Sequence, residues 1–357
     1  MGARTRKLIA VGLGLAACVS AEALAKVGGL AAQPDPGSRL PAPGFHHLHL
    51  NSVNPEAAIG FYVKAFPSTS KTTFAGQPAL ASPNNVLVLF NAVATPPATL
   101  PPTAFWHFGW HVTDVRAARD RFLKENITLL PLYTGLHPTA QSPRGGDTGL
   151  GAGTVFISSD TYPGTGGVLG LTRAQVTDAK AKGVKPNGGS GFAYLRGPDD
   201  ALVEYQGNMK TERFNHVHMY QEQPYCAQLW YQKHLNLPVS PNQELRTEAN
   251  CTVSRGADKT LPALDWDGMY RTPSVTSTLF GDVSLFWYMN QTDTPAVSTR
   301  GHLMDHFALS VAALDSWIAK LRAENVTFLE QPYVIGGHRA VLIEGPSREA
   351  IELIEVK

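Results

Sequence analysis

The chain repeats itself, and a repeat constrains a fold more tightly than any single motif. Phe45-His46-His47-Leu48-His49-Leu50 returns 169 residues later as Phe214-Asn215-His216-Val217-His218-Met219. The same offset carries Asn54-Pro55 onto Gln223-Pro224 and Phe61-Tyr62 onto Trp230-Tyr231. A second offset, 199, carries His107-Phe108-Gly109 onto His306-Phe307-Ala308, and Glu125-Asn126-Ile127-Thr128 onto Glu324-Asn325-Val326-Thr327. A third, 148, aligns the run from Gly197-Pro198 to Glu204 with that from Gly345-Pro346 to Glu352. Three unequal offsets describe an old duplication with insertions.

Each half contains two smaller modules, which begin near residues 44, 105, 213 and 303. In each, a short alternating strand carries a histidine, a helix follows, and strands separated by turns complete the unit. Residues 54–66 are a predicted helix: Asn54 can cap it, Pro55 suits its first turn, and Glu56 favours its dipole. Val115, Ala118 and Phe122 fall on one helical face, as do Leu314, Trp317 and Leu321. Asn85–Phe90 and Val283–Tyr288 are predicted strands.

This β-α-β-β-β pattern, four times over residues 44–357, resembles the vicinal oxygen chelate superfamily of glyoxalase I, bleomycin-resistance proteins and type I extradiol dioxygenases. The strongest pieces are Asp305–Val311, Phe45–Leu50 and the terminal Gly-Pro…Ile-Glu-Leu strand. The resemblance implies an α+β fold in which four βαβββ modules pair into two cup-shaped domains, residues 44–210 and 211–357. It also implies a metal-ligating histidine on a module's first strand and a glutamate on its last. Carried over, these are His47, His107 and Glu204 in the N-terminal half, and His216, His306 and Glu352 in the C-terminal half. Two histidines and a carboxylate with open positions suit a divalent ion, Fe2+, Mn2+ or Zn2+. Alternation puts His49 on the face of His47, and His218 on that of His216, where they are candidate proton carriers. Tyr194 stands one hairpin before Glu204, where extradiol dioxygenases place a substrate-binding tyrosine. Leu342 holds the matching place before Glu352.

The resemblance thus implies a metal-dependent enzyme that chelates a small oxygenated substrate through two oxygens, for dioxygenase, isomerase or lyase chemistry. Tyr194 singles out the N-terminal half as the active one. A non-catalytic binding protein of the bleomycin-resistance type is the alternative. A glyoxalase I-like isomerase is another, but it wants a second carboxylate where Phe90-Asn91 and Trp287-Tyr288 stand.

His107 to Glu204 spans 97 residues, whereas His306 to Glu352 spans 46. The excess falls within 131–190, which holds 13 of the 33 glycines. Thr172–Lys182 is predicted as an exposed helix inside this insertion, and the insertion itself as a lid over the N-terminal cup. Upstream, Arg4, Arg6 and Lys7 precede an uncharged run from Leu8 to Ala21, the pattern of a secretory signal over residues 1–25. Ala23-Leu24-Ala25 offers a cleavage site; Leu15-Ala16-Ala17-Cys18 resembles a lipobox that would give Cys18 a lipid anchor, the one expected membrane contact. Residues 26–43 are a predicted linker. In an exported chain Cys226 and Cys251 can pair. With 30 Lys+Arg against 29 Asp+Glu, the chain has no basic field for nucleic acid. No Gly-x-Ser-x-Gly, His-Glu-x-x-His or Cys-x-x-Cys occurs, so serine hydrolase, zincin and thioredoxin chemistries have no support.

Overall fold

A computed structural model describes residues 40–98, 102–130, 154–155, 171–172, 181–183, 192–207, 209–238, 246–252, 275–290 and 294–356. The first module runs β1 (Gly44–Ser52), α1 (Pro55–Ala65), β2 (Ser70–Phe74), β3 (Gln77–Ala81) and β4 (Leu87–Ala92). The second runs β5 (Phe105–His111), α2 (Val115–Lys124), β6 (Leu129–Leu130), β7 (Thr154–Val155), β8 (Leu171–Thr172), β9 (Phe192–Arg196) and β10 (Leu202–Gln206). The third contributes β11 (Arg213–Gln221), α3 (Pro224–Leu235), β12 (Val275–Phe280) and β13 (Val283–Met289). The fourth is β14 (Met304–Val311), α4 (Leu314–Ala323), β15 (Tyr333–Ile335), β16 (His338–Glu344) and β17 (Ala350–Glu355). The α+β fold and the module starts match the sequence expectation. The predicted signal and most of the linker, the lid and the Thr172–Lys182 helix lie outside the described residues; Thr172 itself ends the β7–β8 ladder.

The repeated residues explain the elements. Asn54 caps α1, its Oδ1 accepting from the Ala57 amide at 3.1 Å. Asn126 and Asn325, the repeat mates behind α2 and α4, both take left-handed backbone, with φ of 56° and 57°. An asparagine tolerates that conformation and ends a helix there.

Sheet order corrects the expected pairing. One eight-stranded sheet runs β15-β16-β17-β14-β1-β4-β3-β2, so module 4 lies beside module 1. The other runs β12-β13-β11-β5-β10-β9-β6, so module 3 lies beside module 2. The division at 210/211 therefore separates no sheet. At each seam two first strands run antiparallel: His49 pairs with His306 on β1–β14, and His218 with His107 on β5–β11. All four first strands carry the same apolar alternation, so the repeat is blind to which partner each takes.

The two modules of each half still touch through their hairpin tips. The turn at Gly197 sits against α1, where a Cβ would stand 2.8 Å from the Tyr62 hydroxyl. In the other half Glu349 accepts from the hydroxyl of Tyr231, Tyr62's repeat mate, at 2.7 Å.

The core lies on the sheet faces turned away from the histidines. Phe45 of β1 stacks on Phe214 of β11 and Phe307 of β14, with centroids 5.7 and 5.9 Å apart. Phe66, just after α1, stacks on Trp110 of β5 at 4.4 Å, joining the two sheets. A bulge in β1 between Phe45 and His47 resets the alternation, and β11 has the same bulge between Phe214 and His216. Without it, Phe45 and His47 would share a face. With it, the phenylalanine enters the core while the imidazole points out of the opposite side.

Candidate metal centres

The structure regroups the expected ligands. It brings His47, His306 and Glu352 together in a first site across β1, β14 and β17. It gathers His107, His216 and Glu204 in a second site across β5, β11 and β10. The expected sets crossed this boundary: His47 belongs with Glu352 rather than Glu204, and His216 with Glu204 rather than Glu352. The cause is the 1/4 and 2/3 pairing of modules.

In the first site, His47 Nε2 lies 3.9 Å from Glu352 Oε1, and His306 Nε2 lies 3.7 Å from Glu352 Oε2. These gaps are too long for hydrogen bonds. They approach the spacing of ligands that each sit about 2.1 Å from one ion. His47 Nε2 and Glu352 Oε1 are buried without a hydrogen-bond partner, a costly state that an ion between them relieves. His47, His49 and His306 offer ring nitrogens within 4.8 Å of one another. Supporting contacts aim the ligands. His306 Nδ1 meets Asp305 Oδ1 at 2.7 Å, and Asp305 is held in turn by the Gly301 amide and Arg300. His46 Nδ1 meets His47 Nδ1 at 2.8 Å.

One residue of this site escaped the sequence reading. The Tyr333 hydroxyl donates to Glu352 Oε2 at 2.6 Å, pinning one carboxylate oxygen and leaving the other aimed at His47. Tyr333 sits on the edge strand β15, where no repeat mate pointed to it. The hydrophobic-to-polar alternation of a three-residue strand gave no signal either.

The second site has the same plan. His107 Nε2 lies 3.0 Å and His216 Nε2 3.8 Å from Glu204 Oε2, and His216 Nδ1 meets Asn215 Oδ1 at 2.9 Å. His218 joins these three within the same 4.8 Å limit. Tyr194 pairs in register with Glu204, and its ring meets the His107 ring edge-on at 5.1 Å. Trp106, Phe286 and Tyr288 pack around His107 and His218 with centroids 4.4–5.4 Å away. Trp110 and Trp287 fill the core instead.

Burial sets the electrostatics of the first site. It depresses His49 to about 3, with the neighbouring His306 adding to the effect. It likewise holds His47 well below the ordinary histidine range. Burial alone would also depress His306, but Asp305 and Glu352 outweigh it and raise that residue. His47 and His49 are thus neutral imidazoles at neutral pH, the form that binds metal. A histidine with a depressed folded pKa binds fewer protons than the unfolded chain, so stability falls as pH drops through 6.5 toward 3. Metal-free protein should lose about 1–3 kcal/mol between pH 7 and pH 5. Urea melts across that range check this; a flat profile would contradict neutral buried imidazoles.

No family model matches the chain, and no curated protein matches it. Solved structures do. Glyoxalase I from Zea mays superposes with a TM-score of 0.54 at 13% identity, over 88% of this chain and 92% of that one. Two single-residue mutants of the maize enzyme give TM-scores of 0.52, at 12% and 13% identity, over 88% of this chain and 94% and 92% of theirs. The chain has the vicinal oxygen chelate fold.

Proposed function

We propose that this chain is a metal-dependent enzyme that binds a small oxygenated substrate through two oxygens at a divalent ion. The observation that carries it is the first site: His47 Nε2 and Glu352 Oε1 lie 3.9 Å apart, both buried and unbonded, with His306 Nε2 3.7 Å from the other carboxylate oxygen. His47, His306 and Glu352 would hold an ion there, and His107, His216 and Glu204 would hold another. Bound, the ion would supply Lewis-acid polarisation of substrate oxygens. Asp305 and Asn215 fix the tautomers of His306 and His216 by accepting from their Nδ1–H groups. Tyr333 orients Glu352; Trp106, Phe286 and Tyr288 supply an apolar wall beside the second site that would exclude water and seat the substrate's carbon skeleton.

The glyoxalase I-like alternative needs a second carboxylate. The strand register moves its expected place by one residue, to Leu89 opposite His49 and Phe286 opposite His218. Neither is a donor, so the ligand set departs from that isomerase. The proposal includes export. The basic-apolar-small pattern of residues 1–25 supports it, as does the disulfide between Cys226 and Cys251. A lipid on Cys18 would be the membrane contact; no described helix is long and apolar enough to cross a membrane.

Metal analysis of anaerobically purified protein tests the proposal. It predicts up to two equivalents of iron, manganese or zinc per chain, lost on replacing the ligand histidines. A chain that stays empty and takes up none of the three ions would overturn it.

A further inference from the structure

We infer that His49 and His218 are metal ligands rather than proton carriers, so that each site holds its ion with three imidazoles and one carboxylate. This inference rests on the proposal above and deepens it. Its basis is one strand position that recurs in all four modules. Two residues past each leading histidine, the first strand pairs with a residue of the last strand. These pairs are Ala308 with Glu352, Gly109 with Glu204, His49 with Leu89, and His218 with Phe286.

Residues paired across adjacent strands project from the same face of a sheet. Every pair therefore offers its site one metal donor and one side chain that cannot ligate. In modules 2 and 4 the donor is the last-strand glutamate, and the first-strand residue is small. In modules 1 and 3 the donor is the first-strand imidazole, and the last-strand residue is apolar. The donor has changed strand without leaving the site. Modules 1 and 3, repeat mates in the duplication, both carry this exchange, which a packing role for the histidine does not require.

The distances agree. His49 Nδ1 lies 3.3 Å from His306 Nε2. His306 Nδ1 meets Asp305, so in the neutral ring that a metal would bind, Nε2 turns its lone pair toward His49 and Glu352. His49 Nε2, the other ring nitrogen, is buried without a hydrogen-bond partner, so the Nδ1 contact with His306 is what holds the ring toward the site.

Copper(II) as the probe ion tests this by electron paramagnetic resonance, whose hyperfine pattern counts ligating nitrogens. In a full-length background with the second site emptied by His107→Ala and His216→Ala, the first site should show three. His49→Ala should show two. Its copper affinity should fall by more than the roughly 10–100-fold that loss of a supporting contact costs. Adding Leu89→Glu to His49→Ala returns a donor from the facing strand, and should restore affinity while the count stays at two. That rescue also shows that the chain folds. Three nitrogens persisting without His49, or no rescue in a variant whose circular dichroism matches the background, would overturn the ligand assignment alone. A background that binds no copper would bring down the metal proposal, and this inference with it.

Discussion

Replacing Gly109 with alanine should empty the second site of metal while the first stays loaded. A Cβ at residue 109 would stand 2.3 Å from His216 Cε1, 2.5 Å from His216 Nε2 and 2.6 Å from the Glu204 carbonyl oxygen. Carbonyl and methyl cannot part without breaking the β5–β10 ladder, so the imidazole must swing away from Glu204. Forced overpacking of this kind costs about 1–3 kcal/mol, and here it displaces a ligand as well. The first site is the internal control. Ala308 already carries a methyl in the matching place, opposite His47 and Glu352, and the geometry accommodates it. Metal content of Gly109→Ala should drop by one equivalent per chain, with the fold retained by circular dichroism. Full occupancy of both sites would contradict the placement of the His216 ring.

Glu349→Ala should be among the most destabilising single changes. This carboxylate is fully buried at the tip of the β16–β17 hairpin. It accepts from the Tyr231 hydroxyl at 2.7 Å, the Ser347 amide at 2.8 Å and the Gln221 side-chain amide at 3.1 Å. Gly345 is packed so tightly beside it that a Cβ would meet its carboxyl carbon at 2.5 Å. Burial pushes the Glu349 pKa up, and the three donors offset only part of that shift. Alanine would leave those donors buried and unpaired and open a cavity between modules 3 and 4. The cost is about 3 kcal/mol or more. Glu349→Gln keeps an acceptor for Tyr231 and Gln221, which share Oε1, and removes the buried charge, but sets its amide nitrogen against the Ser347 amide, so it should cost less than Glu349→Ala. Paired denaturant melts measure both. Equal melts for the two variants would show that the hydrogen bonds at this tip do not hold the modules together.

Much of the fold was legible because duplication writes the same physics twice. The Asn126/Asn325 and Tyr62/Tyr231 pairs were visible only as repeat matches; the structure places the first at two helix ends and the second against the two hairpin tips. All six proposed ligands lie in the two sites, since strand alternation and the repeat together fix the face on which each one points. Sequence could not supply the pairing of modules. His47 can meet His107 or His306 through the same alternating strand, and only long-range ladder formation chooses between them. The bulge at His46 was equally silent, although it is what turns His47 out of the core. Tyr333 was missed because its contact with Glu352 comes from an edge strand with no counterpart in the other half. The one-residue error at Leu89 and Phe286 has the same origin: register between distant strands is set by the ladder.

The central claim is that each ion is shared between modules 1 and 4 or between modules 2 and 3. Counting ions in two double variants tests it most directly. His47→Ala with Glu352→Gln removes two ligands of one site, so the chain should keep one equivalent of metal. His47→Ala with His107→Ala removes one ligand from each site, so it should keep none. The opposite pattern, no metal in the first variant and one equivalent in the second, would contradict the account.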